Sequence, residues 1–165
     1  MKKLYGAVLE QGEEYYTNLS KIFAAIGNVQ VQYNWLITDC ECYPKSQYIN
    51  NMLSQEYCWM TGEELTNLIK EEEFQWIWAV LSGFEKNIPL DTILKYPLPY
   101  AKDYDGFWKN PVSIQHPLAS VEIVPWDSSL TLIISKEHKV IGDFRRAFPL
   151  SEDLNSYNES EVDKD

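Results

Sequence analysis

Residues 74–84, FQWIWAVLSGF, are the strongest indication of the fold. It is almost continuously apolar, which is typical of a strand that is buried on both faces of a sheet. Because successive side chains of a strand point to opposite faces, Phe74, Trp76 and Trp78 share one face. The sequence therefore predicts a central strand with other elements packed on both of its sides.

Further strand patterns lie before and after this central run. The run 33–43 has the alternation of a long strand and is closed by Pro44. A tight polar connection, Asp127-Ser128-Ser129, separates two later apolar runs and predicts a hairpin. The predicted strands are 3–9, 33–43, 57–60, 74–84, 121–125 and 130–135.

Three segments have the three-and-four apolar spacing of amphipathic helices. Gly27-Asn28 is typical of a left-handed helix end, and Thr61 with Glu64 matches a capping box. The predicted helices are 13–26, 62–72 and 137–148, with a short helix within 45–56 and a short helix or strand at 90–95. The order of elements predicts an α+β fold with a single mixed β-sheet and helices packed against it.

The length of 165 residues fits one domain. We expect residues 1–150 to form a single globular α+β domain. Residues 151–165 carry six acidic side chains against one lysine and offer little apolar surface beyond Leu154 and Tyr157. This composition predicts an acidic, flexible C-terminal tail.

The chain has 25 acidic and 14 basic residues, a formal net charge of −11. A field of this sign repels phosphate groups, which argues against nucleic acid and against an anionic membrane surface as direct partners. The charge is compatible with a basic protein partner, with a cation, or with no specific role beyond solubility. The composition leaves the oligomeric state open.

The cysteines and the absence of a leader pattern predict a cytoplasmic protein. The stretch after Met1-Lys2-Lys3 lacks the apolar core of a signal peptide, and no apolar run is long enough to span a bilayer. Cys40, Cys42 and Cys58 form an odd set without a secretory context, as expected for reduced thiols.

No catalytic set, cofactor motif or metal site is predicted from the motifs. Zinc would need a fourth ligand from His116 or His138, and the one-residue gap between Cys40 and Cys42 departs from the usual zinc spacing. Buried, apolar cysteine is the favoured interpretation. There is also no Gly-x-Ser-x-Gly elbow and no glycine pattern for phosphate.

Two regions are candidates for function. Asp39 and Glu41 lie two residues apart on a predicted strand, and His116 lies in an irregular segment, so these three could serve a small enzyme or a ligand-binding domain. The irregular segment, 96–117, mixes aromatic and charged residues in the manner of a contact surface. Its candidate binding residues are Tyr100, Tyr104, Phe107, Trp108 and His116. The competing interpretation is a loop that pins itself to the domain with its own aromatic anchors.

Two stretches carry a resemblance, YNWLITDCE at 33–41 and the block 130–158 with its strand, helix and FPLSEDL sequence. Together they resemble a small family of uncharacterised proteins of Gram-positive bacteria, and their general style is similar to immunity proteins of toxin systems. The resemblance implies an intracellular bacterial protein and assigns no residue a role. The leading hypothesis is a non-enzymatic, immunity-like protein-binding module; the alternative is the enzyme or ligand-binding domain built on Asp39, Glu41 and His116.

Overall fold

The structure, a computed structural model, describes residues 3–162, with side chains described through residue 160. The strands are β1 (Tyr5–Leu9), β2 (Tyr33–Cys42), β3 (Tyr57–Thr61), β4 (Trp76–Glu85), β5 (Val121–Trp126), β6 (Leu130–Ser135) and β7 (Glu152–Asp153). The α-helices are α1 (Leu19–Ala25), α2 (Gln47–Leu53), α3 (Gly62–Glu71), α4 (Leu90–Ile93), α5 (His138–Ala147) and α6 (Leu154–Val162). Short 3-10 turns lie at Val29–Gln32 and Gly106–Trp108.

The seven strands of residues 3–162 belong to one sheet, in the order β3-β2-β4-β5-β6-β1-β7. Each pairing in this order is antiparallel. The predicted α+β class with a single sheet and packed helices is therefore confirmed, and this sheet, predicted to be mixed, is antiparallel. The predicted central run forms β4, which lies between β2 and β5.

The main helices cover one face of the sheet. Trp35 of β2, Leu81 of β4 and Ile123 of β5 are fully buried there, in a core that they share with α1, α2, α3 and α5. The indole N–H of Trp35 donates to the carbonyl oxygen of Gln30 at 2.9 Å, so this buried ring keeps its one polar group paired.

The opposite face of the sheet is covered by irregular chain and by α6. Val80, Val124 and Leu132 pack there against Phe107, which comes from the predicted irregular segment. We call residues 96–117 the 96–117 loop. Leu154 at the start of α6 completes this second core and is fully buried.

Two predicted helix-end signals are present in the structure. The capping box at α3 is present, with the Glu64 N–H bonded to the Thr61 hydroxyl and the Thr61 N–H bonded to the Glu64 carboxylate, both at 3.0 Å. Gly27 and Asn28 have the predicted left-handed conformation. The predicted helix 13–26 begins only at Leu19, because Asn18 caps it through the Lys21 N–H.

The predicted tail, residues 151–165, contains regular structure. β7 pairs with β1, and α6 follows it at once. The apolar side chain of Leu154 and the amide of Asn158 lie one helical turn apart, and both are buried. A single buried face is therefore enough to place this polar segment on the sheet; residues 163–165 lie outside the described residues.

Candidate functional site

The 96–117 loop is fastened to the sheet by one carboxylate. Asp39 Oδ2 accepts hydrogen bonds from the backbone N–H groups of Ala101 and Lys102, both at 2.9 Å. Asp39 has a positive φ of 49°, a conformation that aspartate tolerates better than most residues. The pairing of β2 with β4 shifts register between Thr38 and Glu41, so this residue lies in a β-bulge.

A second set of bonds closes the loop on itself. The Gln115 side chain bonds both backbone groups of Tyr100: its Oε1 accepts from the Tyr100 N–H at 3.1 Å, and its Nε2 donates to the Tyr100 oxygen at 2.9 Å. The Gln115 backbone N–H in turn donates to Glu122 Oε2 at 3.2 Å. The two limbs of the loop are therefore held to each other and to β5.

Seven aromatic rings form a continuous cluster at this loop, which we call the aromatic cluster. Its members are Trp78, Tyr100, Tyr104, Phe107, Trp108, Trp126 and Tyr157. Neighbouring ring centroids are 4.6 to 6.1 Å apart, as between Tyr104 and Phe107 or Phe107 and Trp126. These separations are typical of favourable aromatic pairs. The rings therefore support one another from the second core out to the surface.

The members of the aromatic cluster differ in exposure. Phe107 is only 1% exposed and belongs to the core, so it anchors the loop and cannot itself meet a partner. Tyr100 is 47% exposed, and Tyr104 and Trp108 are half-buried. Phe107 therefore agrees with the interpretation of a self-packed loop, whereas the contact surface at Tyr100, Tyr104 and Trp108 stays a prediction.

His116 is buried and both of its ring nitrogens have partners. Nδ1 accepts from the Leu118 N–H at 3.1 Å, which assigns the proton to Nε2, and Nε2 lies 3.0 Å from the Ile93 oxygen. The ring packs against Phe84 and Tyr96, with centroids 4.9 and 5.0 Å away. Burial lowers the pKa of His116, so the neutral ring is favoured. These contacts give His116 a role in packing the start of the loop.

The three residues of the alternative hypothesis have different partners. Asp39 binds the loop backbone, His116 binds Ile93 and Leu118, and Glu41 accepts a long hydrogen bond of 3.4 Å from the Tyr43 hydroxyl. Two clefts, of about 220 and 270 Å³, lie elsewhere and are lined by none of the three. Neither the bonds nor these clefts bring the three side chains to a shared site.

Glu122 is the chemically notable residue that the sequence analysis missed. It is fully buried on β5, and burial raises its pKa to about 8. Among the described residues its Oε1 atom has no hydrogen-bond partner, and the same holds for the hydroxyl of Ser82, the residue opposite Glu122 on β4. The sequence did contain a signal: a charged residue inside the apolar run 121–125, on a strand predicted to be buried.

The described part of the chain holds neither a metal-binding cluster nor a membrane-spanning helix. Within residues 3–162, no group of three or more histidine, cysteine or acidic side chains is arranged to hold a metal ion. No helix over these residues is both long and apolar enough to cross a membrane.

A family model described as "Protein of unknown function (DUF2691)" matches residues 5–102. This segment is more than half of the chain. The chain belongs to the DUF2691 family. The match confirms the expected membership of an uncharacterised family. No curated protein and no solved structure matches the chain.

The DUF2691 match divides the candidate site. It runs from β1 through β4 and α4 into the 96–117 loop, where it includes Asp39 and the two amides that Asp39 binds. Tyr104, Phe107 and Trp108 follow the matched segment. The anchoring carboxylate thus lies within the family segment, whereas most of the aromatic cluster on the loop lies beyond it.

Proposed function

We propose that this protein is a non-enzymatic protein-binding module whose contact surface is the outer part of the aromatic cluster. The observation that carries the proposal is the continuous row of rings from buried Phe107 to exposed Tyr100, on a loop whose backbone is tied down. Aromatic side chains provide much contact area with few rotatable bonds, and they are enriched among residues that dominate binding energy.

The fixed loop backbone strengthens this proposal. Asp39 and Gln115 together bond the backbone of Tyr100, Ala101 and Lys102. A loop that is already ordered has less conformational entropy to lose when a partner binds. The exposed ring of Tyr100 is therefore presented on a rigid support.

A basic protein is the partner that the charge supports. The net charge is −11, and exposed Asp103, Asp105 and Asp127 lie in or beside the aromatic cluster. Lys102 and Lys109 are also exposed there, and Lys109 forms an ion pair with Asp105 at 3.2 Å. The acidic charge of the whole chain would therefore speed association, while the rings would supply the contact area.

The immunity-like hypothesis belongs to this proposal. An immunity protein acts by binding, which agrees with a site that offers an ordered surface and no convergent catalytic groups. The general similarity in sequence style makes a basic toxin domain the first partner to test. The alternative, an enzyme or ligand-binding domain using Asp39, Glu41 and His116, has less support because Asp39 and His116 are committed to structural bonds.

The test is affinity capture from the source cell with the immobilised full-length protein at low and at moderate salt. Tyr100→Ala and Trp108→Ala remove rings of the aromatic cluster. Tyr48→Ala is the matched control, since Tyr48 is 73% exposed on α2, a helix that packs on the opposite face of the sheet through Ile49 and Leu53. We expect a basic protein that is captured by wild type and control, weakened at least tenfold by the two variants, and released as salt is raised.

The captured protein is then purified and its affinity for each variant measured by calorimetry, with near-ultraviolet circular dichroism to verify that each variant is folded. Capture that is equal for all four proteins would place the contact elsewhere. The absence of any specific partner at both salt concentrations would contradict the proposal.

A further inference from the structure

Two thiols lie unusually close together on β2. The sulfur atoms of Cys40 and Cys42 are 3.7 Å apart. Residues two apart on a regular strand share a face but are separated by roughly 6.5 Å along it. The pairing of β2 with β4 is irregular at this point, with register shifts on both sides of Glu41. These irregularities break the regular spacing of the strand where the two sulfur atoms approach.

We propose that Cys40 and Cys42 are a thiol-oxidation site that closes to a reversible intramolecular disulfide. In this step the two S–H bonds break and one S–S bond forms, with the loss of two protons and two electrons. A peroxide accepts both and is reduced; hydrogen peroxide yields two molecules of water. A dithiol reductant reverses the step by thiol–disulfide exchange.

Either thiol of the pair can react first. The contact between the two sulfur atoms raises the pKa of Cys40, which burial raises further, and lowers the pKa of Cys42, which is itself buried. One thiolate attacks the peroxide and forms a sulfenic acid, and the other sulfur then attacks this sulfur and releases water. Cys40 is half-buried, so the pair is not sealed from solvent.

Cys58 provides an internal control for this inference. It lies on β3, opposite Ile37 of β2, and burial raises its pKa to about 11. The difference that matters is position, because Cys40 and Cys42 each have the other's sulfur atom at 3.7 Å, so a sulfenic acid on either meets this neighbouring thiol first. Oxidation is therefore expected to spare Cys58 while it joins the other two thiols.

The experiment treats the full-length protein at low concentration with about one equivalent of hydrogen peroxide. After an acid quench, alkylation under denaturing conditions and digestion, mass spectrometry maps the thiols. We expect the peptide with Cys40 and Cys42 to lose two hydrogens, Cys58 to be alkylated, and dithiothreitol to restore three alkylated cysteines.

Two variants make the assignment specific. Cys58→Ser should still form the disulfide, whereas Cys40→Ser should not. The inference is overturned if both Cys40 and Cys42 of the wild type remain alkylatable after oxidation, or if the main product links Cys58. Because the wild-type map decides the question by itself, the result does not depend on either variant folding well.

Discussion

The carboxylate of Asp39 on β2 accepts a hydrogen bond from the backbone N–H of Ala101, 62 residues further along the chain, at 2.9 Å. The next amide, that of Lys102, binds the same oxygen. One bulged residue therefore positions the start of the loop that carries the aromatic cluster. A carboxylate that accepts backbone N–H groups forms charge-assisted bonds, which are stronger than neutral ones.

Asp39→Ala is expected to lower the free energy of unfolding by about 2 kcal/mol, since it leaves two amides without their acceptor. Asp39→Asn retains an acceptor and tolerance of positive φ, and should lose less. Chemical denaturation gives the free energies, and hydrogen exchange at Ala101 and Lys102 locates the effect. Unchanged exchange at these amides in Asp39→Ala would refute the anchoring role.

Glu122 should make stability fall as the pH rises. The folded state holds its proton up to about pH 8, whereas an unfolded glutamate loses it near pH 4.5. The contribution of Glu122 to the free energy of unfolding is therefore complete below pH 4.5. It declines between pH 4.5 and 8, by at most about 5 kcal/mol. The side chain of Glu122→Gln cannot ionise, so the variant should become progressively more stable relative to the wild type from pH 5 to pH 8.5.

Comparing the two proteins at each pH cancels the titration of the other groups. Urea denaturation at four or five pH values is sufficient to follow the difference. A difference that stays constant across this range would show that Glu122 has an ordinary pKa in the folded state.

Leu154→Ala should destabilise the protein by about 3 kcal/mol, because the side chain is fully buried between α6 and the sheet. Leu150→Ala is the matched control: this leucine is 56% exposed, and its truncation should cost less than about 1 kcal/mol. Thermal unfolding of both variants measures the contrast. Equal, small effects would mean that α6 contributes little to the fold in solution.

Gly62→Ala should be destabilising although it improves helix propensity. A Cβ atom at Gly62, the first residue of α3, would overlap the carbonyl oxygen of Gln30. Gly142→Ala in α5 is the comparison, because a Cβ there meets its nearest atom, on the Arg146 side chain, at 3.5 Å. Gly142→Ala should raise the free energy of unfolding by about 0.5–1 kcal/mol. Calorimetric melting temperatures should therefore move in opposite directions.

Regular elements were predictable where local chemistry decides them. The apolar run 74–84 predicted a buried strand, which the structure has at Trp76–Glu85, and the pair Thr61 and Glu64 predicted the start of α3. The class and the single sheet follow from such patterns. They do not specify pairing, so the order of the seven strands had to come from the structure.

Features that depend on distant contacts were not predictable. The bulge at Asp39 interrupts the alternation of β2. Its role in binding the loop depends on the amides of Ala101 and Lys102, which lie 62 and 63 residues away in the sequence. His116 has the sequence context of an exposed loop residue but is enclosed by Phe84 and Tyr96. The polar composition of 151–165 concealed the few side chains that dock α6 on the sheet, namely buried Leu154 and Asn158 and the ring of Tyr157.

The position of β1 has a consequence for the order of folding. This strand begins at Tyr5 but lies between β6 and β7, whose residues are 130–135 and 152–153. During synthesis, β1 emerges well before β6 and β7 and cannot pair with them until residues 130–153 have followed. The segment 5–102 that matches the family model therefore lacks the strands that flank β1. The pairing of β1 with these strands is a late, long-range event of the kind that slows folding.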